Sequence, residues 1–268
     1  MAKFSRYTLK KMENEKLRCC VCNNSLGGYH TTVAEYKIYK CARCGLESTF
    51  PVPSSDELKA FYTGYSDFRA DLKVTERNAA LHIEILKKYG LNRKTRTLDY
   101  GAGTGGFVKA FEGICVGYDP FAKKKKNLFN SIEDLPFQLF DTVTCWSVLD
   151  NQRDPSSTIK ECSNLLKNGG LFAFSVVSTE TEIPFRYKPP EHLTYWTKES
   201  IRLLLKALHF ELLFLEQDTM WQRSNVYIDL ICSRIPDTYH KAFKHAKLEL
   251  PEYVQIPTNE LFCVSRKL

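Results

Sequence analysis

Cys19, Cys22, Cys41 and Cys44 stand as two C-x2-C pairs separated by 18 residues. Two residues between paired thiols let both sulfurs face one ion from a tight turn, and 18 more leave room for a hairpin that brings the second pair back. Four thiolates close a tetrahedron around zinc and leave no open position, so the expected ion is structural. Cys20 has only one residue between it and Cys22, a poorer spacing for the same turn. A ribbon of this size cannot build its own core, and bound zinc would contribute its folding free energy.

The second chemical signal is Leu98-Asp99-Tyr100-Gly101-Ala102-Gly103-Thr104-Gly105-Gly106. A β-prone run enters a glycine turn and a helical pattern begins. Glycine tolerates left-handed backbone and lets main chain approach a ligand closely. Gly101, Gly103 and Gly106 alone fit the dinucleotide pattern G-x-G-x-x-G. Asp99, two residues before the first glycine, changes the reading. A carboxylate there would repel a pyrophosphate and suits a ligand carrying an ammonium or sulfonium group. Asp119, 20 residues after Asp99, closes a second β-prone run and is placed to accept both hydroxyls of a ribose.

The elements needed to hold these groups follow from periodicity. Short β-prone runs fill 19–50, and Pro51-Val52-Pro53 makes a stiff joint. Ser54 and Ser55 precede a short helix from Asp56 through Tyr62. Apolar residues at helical spacing (Ala79, Ala80, Ile83, Leu86) predict a helix over Val74 to Tyr89, ended by Gly90. Strands are predicted at Arg96–Tyr100, Ile114–Tyr118, Phe140–Trp146, Leu171–Val177, Phe210–Glu216 and Leu261–Ser265. Helices are predicted at Gly106–Glu112, Pro155–Leu166, Thr197–Leu208 and around Thr238–Leu248. Lys167 to Gly170 reads as a helix stop and turn. Between Asp119 and Phe140 there is little room for a helix plus a strand, so that crossover is expected to be short. Strands alternating with helices imply an α/β fold with a doubly wound, mainly parallel sheet. The expected division is 1–53 as lead-in and zinc ribbon, and 54–268 as the main domain.

Asp-x-Gly-x-Gly-x-Gly after a strand resembles the first motif of class I S-adenosylmethionine-dependent methyltransferases. Val116-Gly117-Tyr118-Asp119-Pro120 is similar to that family's second-strand end, and Ser131 to Pro136 to the loop lining adenine. Phe140 to Trp146 is similar to its fourth strand, and Leu165 to Gly170 to the turn before its fifth. The resemblance spans roughly 74–216. It implies a Rossmann-like methyltransferase fold and S-adenosylmethionine as donor. The donor site it implies is Asp99, Gly101, Gly103, Gly105, Asp119, Pro120 and Ile132, with Trp146 near the methionine end. Tyr62 and Tyr65, ahead of the long helix, could close over it. Where many relatives carry Leu-Glu-His after the fourth strand, this chain has Val148-Leu149-Asp150-Asn151-Gln152.

The zinc pairs followed by Glu191-His192-Leu193 also resemble zinc-containing sugar C- and O-methyltransferases, which use a tyrosine-x-glutamate-histidine stretch. The tyrosine position here is Pro189, with Tyr187 and Tyr195 nearby. The expected catalytic set is His192 as general base, Glu191 orienting it, and Tyr195. The function expected is methyl transfer to a small molecule, a sugar or nucleotide sugar, anionic or sugar-linked. Two alternatives stay open: an RNA or protein methyltransferase whose ribbon holds the substrate, and a degenerate, non-catalytic zinc-ribbon binding protein.

Composition bounds these readings. The 268 residues are 43% hydrophobic and 26% charged, an ordinary globular balance. The net charge of +7 favours an anionic partner only weakly, and Lys123–Lys126 reads as a solvated turn rather than a nucleic-acid surface. No run reaches the ~18 apolar residues a membrane helix needs. The polar, basic start shows no secretory pattern, so a cytoplasmic location is expected. Ten cysteines in a chain this long read as thiols plus a metal site.

Overall fold

A computed structural model describes residues 17–64, 72–121, 125–181, 187–232 and 250–268. Tyr29–Val33 (β1), Tyr36–Lys40 (β2) and Glu47–Phe50 (β3) form an antiparallel ribbon. Helix α1 (Ser55–Gly64) begins where Ser54 caps it. The Ser54 Oγ accepts from Glu57 N at 3.2 Å, and Glu57 Oε2 accepts from Ser54 N at 2.7 Å. Helix α2 (Leu72–Lys87) buries Ala79, Ile83 and Leu86 along one stripe, and His82 lies in that same stripe.

The large sheet is built from β4 (Arg96–Tyr100), β5 (Ile114–Tyr118), β6 (Leu128–Phe129), β7 (Phe140–Trp146) and β8 (Leu166–Val177). Two further strands, β10 (Phe210–Arg223) and β11 (Tyr253–Lys267), complete it. The order across the sheet is β6-β5-β4-β7-β8-β11-β10. β6 through β8 pair in parallel, and only β11 runs against its neighbours. This is the doubly wound, mainly parallel sheet that the alternation predicts. Its central strands are covered on both faces, so Leu98, Val143 and Phe172 are fully buried and the strands read as apolar runs. The chain leaves β4 toward β5 and β6, then returns to the other side at β7. The crevice at the carboxyl ends of β4 and β7 is therefore the switch point where such sheets bind ligands.

Helix α3 (Gly106–Ala110) follows β4, and α4 (Pro155–Asn164) follows a 3-10 turn at Leu149–Asn151. Proline at the first turn and Asp154, accepting from Ser157 N at 3.2 Å, start α4. Helix α5 (Lys198–Ala207) opens with a reciprocal cap between Thr197 and Ser200. The crossover between β5 and β7 holds only the two-residue β6 and no helix among the described residues, as the short spacing required.

Three expectations change. Lys167 to Gly170 is not a turn but part of β8. From the Phe140↔Leu166 pair to the Thr142↔Leu171 pair, β7 advances two residues and β8 five, so the glycines sit in a bulge. β10 and β11 run past their apolar cores to Arg223 and Tyr253, because the hairpin satisfies its backbone groups across the pair even where Gln217, Asp218 and Thr219 break the apolar pattern. Helix α6 (Ser224–Cys232) and the two-residue β9 (Thr194–Tyr195) were not anticipated. The helix expected around Thr238–Leu248 lies outside the described residues.

β9 ties the ribbon to the main body. It pairs with β3 through Glu47↔Tyr195 and Ser48↔Thr194, giving the order β1-β2-β3-β9. Next to it, Trp196 N donates to Val177 O of β8 at 2.8 Å. Cys19, Cys41, Cys44 and Leu46 pack in one core cluster with Trp196, Leu204 and Leu205. Backbone pairing and core packing thus cross the sequence boundary expected near residue 53.

Candidate active site

The glycine turn is held by its neighbours. Gly101 N and Ala102 N both donate to Tyr118 O, at 2.7 and 3.0 Å, which fastens the end of β4 to the end of β5. Gly101 has φ +77°, and an added Cβ would lie 2.3 Å from Val148 Cγ2. Gly101→Ala is expected to cost about 2–4 kcal/mol, from left-handed strain plus overpacking. A melting series with Val148→Ala checks this. The second change should recover the steric part and leave the backbone part, and a full recovery would refute the assigned strain.

Asp119 is wired into the same turn. Its Oδ2 accepts from Gly103 N at 3.0 Å and its Oδ1 from Phe121 N at 2.8 Å. Its backbone is fixed from β6, with Asp119 N donating to Phe129 O at 3.0 Å. Ile132 is half-buried, and its carbonyl accepts from Leu135 N at 3.1 Å; Pro120 is exposed beside Asp119. Tyr62 stacks on Phe121 at 6.1 Å between ring centroids and donates its hydroxyl to Glu191 O at 3.2 Å. Tyr65 lies outside the described residues.

Asp99 is 3% exposed, and its Oδ1 accepts from Thr144 Oγ1 at 2.8 Å. Burial pushes its carboxyl up to about 7, partly offset by the Thr144 hydrogen bond. No lysine or arginine among the described residues lines its cavity, and His82 there offsets the shift only slightly. A buried carboxylate in this state gains from a positively charged ligand.

Asp99, Gly101, Gly103 and Gly106 form one wall of a cavity of about 410 Å³. Trp146 and Ser147, at the end of β7, line its middle. Its far end is formed by Asp218 on β10 and Glu260 on β11, and α2 closes the side with Asn78 and His82. His82 Nε2 lies 2.9 and 3.1 Å from the Asp218 carboxylate oxygens, and its ring stacks on Trp146 at 4.2 Å and 23°. The Ser147 hydroxyl donates to Glu260, with distances of 3.0 and 3.1 Å to its two oxygens. The structure thus brings Asp99, Gly101, Gly103 and Trp146 together as expected. It adds His82, Asp218 and Glu260, which sequence reasoning missed. A faint signal existed for His82, the one titratable residue on α2's apolar stripe.

The residues expected as catalytic sit elsewhere. His192, Glu191 and Tyr195 do not line this cavity. Tyr195 is fully buried; its Oη accepts from Lys188 N at 2.8 Å and lies 3.3 Å from His192 O, so it braces the loop from within. His192 Nε2 lies 3.7 Å from Asp150 Oδ2 and 3.8 Å from Glu191 Oε1, and its Nδ1 is buried without a partner. Burial pulls its imidazole down to about 4. Asp150 is fully buried, neither carboxylate oxygen has a hydrogen bond, and burial holds its carboxyl well above the usual range. The His192 imidazole is therefore neutral near pH 7 and forms no ion pair with either carboxyl.

A testable consequence follows from the sign of the Asp150 shift. A carboxyl whose folded pKa is raised contributes stability below its unfolded pKa of about 4 and loses it as pH climbs toward the folded value. Asp150→Asn does not titrate. Its unfolding free energy relative to the parent chain should rise as pH is taken from about 4 toward about 8, by up to about 1.4 kcal/mol per pH unit. An offset that stays constant over that range would refute the neutral buried acid.

The four cysteines converge as their spacing requires. Their sulfurs lie within 4.8 Å of one another, with Cys19–Cys44 at 3.5 Å and Cys22–Cys41 at 3.4 Å. Zinc–sulfur bonds of about 2.3 Å give tetrahedral edges of about 3.8 Å, so the donor set fits one zinc after small adjustments. Each pair forms the same turn. Asn23 N donates to Cys19 O and Gly45 N to Cys41 O, both at 2.9 Å, with Asn23 and Gly45 in left-handed backbone. Burial pushes the Cys20 thiol up to about 12, and it stands outside the group.

Comparison with known proteins places this geometry. A family model described as a methyltransferase domain matches residues 70–215, more than half the chain. The chain belongs to this methyltransferase domain family. Ubiquinone biosynthesis O-methyltransferases of Yersinia pestis and Yersinia pseudotuberculosis are 24% identical over 147 residues, covering 47% of this chain and 61% of theirs. The match thus spans about three fifths of those relatives. The Burkholderia thailandensis 1,6-didemethyltoxoflavin-N1-methyltransferase, solved with its substrate and S-adenosylhomocysteine, superposes with TM-score 0.50 at 16% identity, covering 90% of this chain and 99% of that one. The [4+2]-cyclase SpnF superposes equally well, with TM-score 0.50 at 17% identity over 81% and 97% of the two chains. At such identities the likeness is one of fold.

Proposed function

We infer that this family member transfers a methyl group from S-adenosylmethionine to a small molecule. One observation carries the reading: Asp99 is buried, with no lysine or arginine among the described residues lining its cavity, at the mouth of a glycine turn whose Gly103 amide is tied to Asp119. Bound there, the sulfonium supplies an electrophilic methyl carbon. Asp119 would hold the ribose, with Pro120 and Ile132 toward adenine and Trp146 toward the methionine end. Asp99, held from behind by Thr144, and Trp146 would orient the donor. Calorimetry with S-adenosylhomocysteine and NAD tests this. The first should bind and the second should not, and the reverse order would return the loop to the dinucleotide class.

The finer reading of the acceptor as a sugar or nucleotide sugar draws its support from the zinc ribbon beside Glu191-His192. Among the described lining residues there is no lysine or arginine, which supports a neutral or cationic acceptor over an anionic one. His192 is proposed as base, with Glu191 and Asp150 beside it and Tyr195 bracing its loop. His192→Asn should then lower turnover and leave S-adenosylhomocysteine affinity unchanged; unchanged turnover would remove it from catalysis.

The four cysteines are proposed to hold one structural zinc, with residues 1–53 as its module and 54–268 as the methyltransferase unit. No helix of the described residues is long and apolar enough to cross a membrane. A reducing, cytoplasmic setting is proposed on the ten thiols, of which Cys145, Cys162 and Cys263 are fully buried in the core.

A further inference from the structure

The far end of the cavity has a charge that the donor does not use. Asp99, Asp218 and Glu260 all line this one cavity, and His82 is the only basic side chain among its described lining residues. His82 is spent on Asp218. Glu260 has only hydroxyl partners, and no lysine or arginine among the described residues reaches it. S-adenosylmethionine carries one net positive charge, from a sulfonium and an ammonium against one carboxylate. That charge can balance Asp99. It leaves Glu260 unbalanced in a site where an uncompensated carboxylate is costly. Burial accordingly pushes the Glu260 carboxyl up.

The neighbouring wall is aromatic. Trp146 lies between Asp99 and Glu260 along the sheet edge, backed by His82 at 4.2 Å and by Phe262 at 5.3 Å. Its indole Nε1 is buried without a hydrogen-bond partner, although the residue lines the cavity. A carboxylate beside an aromatic plate is the pairing that recognises organic cations.

We propose that the acceptor is a small molecule bearing a protonated amine, seated between Glu260 and the Trp146–His82 stack. This rests on the reading of the cavity as the joint donor and acceptor site. An amino sugar satisfies it together with the sugar reading above, whereas a nucleoside diphosphate sugar would bring its negative charge against Glu260.

The test uses the whole chain saturated with S-adenosylhomocysteine and three probes on one frame: benzylamine, benzyl alcohol and benzoate. Binding is read by calorimetry or by ligand-detected NMR. Benzylamine should bind about tenfold or more tighter than benzoate, with benzyl alcohol between them. Glu260→Gln should erase that preference while S-adenosylhomocysteine still binds. Benzoate binding as tightly as benzylamine, no millimolar binding of benzylamine, or a preference that survives in E260Q would each overturn the proposal. If E260Q fails to fold, the ranking on the unmodified chain decides alone. Absence of S-adenosylhomocysteine binding to the unmodified chain would instead overturn the underlying donor reading, so the two failures are distinguishable.

Discussion

Asp119→Ala is expected to weaken S-adenosylhomocysteine binding by about a hundredfold or more while the protein still melts cooperatively. Hydrogen bonds to a charged acceptor contribute about 1.5–3 kcal/mol each, and a ribose diol offers two. The same carboxylate holds Gly103 N and Phe121 N, so alanine also releases the turn that carries the donor's methionine end. Asp119→Asn keeps one oxygen acceptor and should lose less. Asp99→Asn is a useful contrast, because burial already holds that carboxyl up to about 7 and an amide copies its neutral form. It should bind neutral S-adenosylhomocysteine nearly as well as the parent chain and discriminate against the sulfonium donor. Calorimetry with both ligands reads all three variants. Near-unchanged affinity in Asp119→Ala would remove the ribose assignment and, with it, the donor site.

The second large effect concerns the metal. The purified chain should carry one zinc, and stripping it or making Cys41→Ser should lower the melting temperature by about 10 °C or more. The size follows from what the cluster supports. Cys44 O accepts from Thr197 Oγ1 at 2.6 Å, Thr49 N donates to Leu193 O at 2.9 Å, and Tyr187 Oη donates to Glu47 Oε2 at 2.6 Å. The ribbon is therefore a support for the segment that carries His192. Hydrogen exchange should accelerate across β3 and 187–197 in the metal-free chain and change little in β4. Cys20→Ser should keep both the zinc and the melting temperature, since Cys20 is outside the ligand group. A chain lacking zinc with an unchanged melt would sink the structural role.

The cysteine cluster, the glycine turn, Asp99 and Asp119 were legible because each signal lies within a few residues. Turn geometry fixes C-x2-C. A strand end followed by glycines fixes the donor loop, and helical or strand periodicity fixes the α/β order around them. Errors fell where neighbours far along the chain decide. Lys167 to Gly170 looks like a turn by composition but is drawn into β8 by pairing with β7. Thr194–Tyr195 becomes a strand only because β3 lies beside it.

The sequence by itself determined the fold class, the cysteine set and the glycine turn, since spacing and periodicity encode them locally. Only the tertiary structure decided what lines the cavity at that turn. His82 and Asp218 are 136 residues apart and meet because α2 packs on the sheet beside β10. Glu260 reaches Ser147, 113 residues away, because β11 inserts between β8 and β10. His192 lies outside the wall of that cavity, buried beside Asp150 on the loop that β9 anchors, a placement its own neighbours in sequence do not specify. Strand order places such side chains, and strand order is a property of non-local pairing that no short stretch of residues contains.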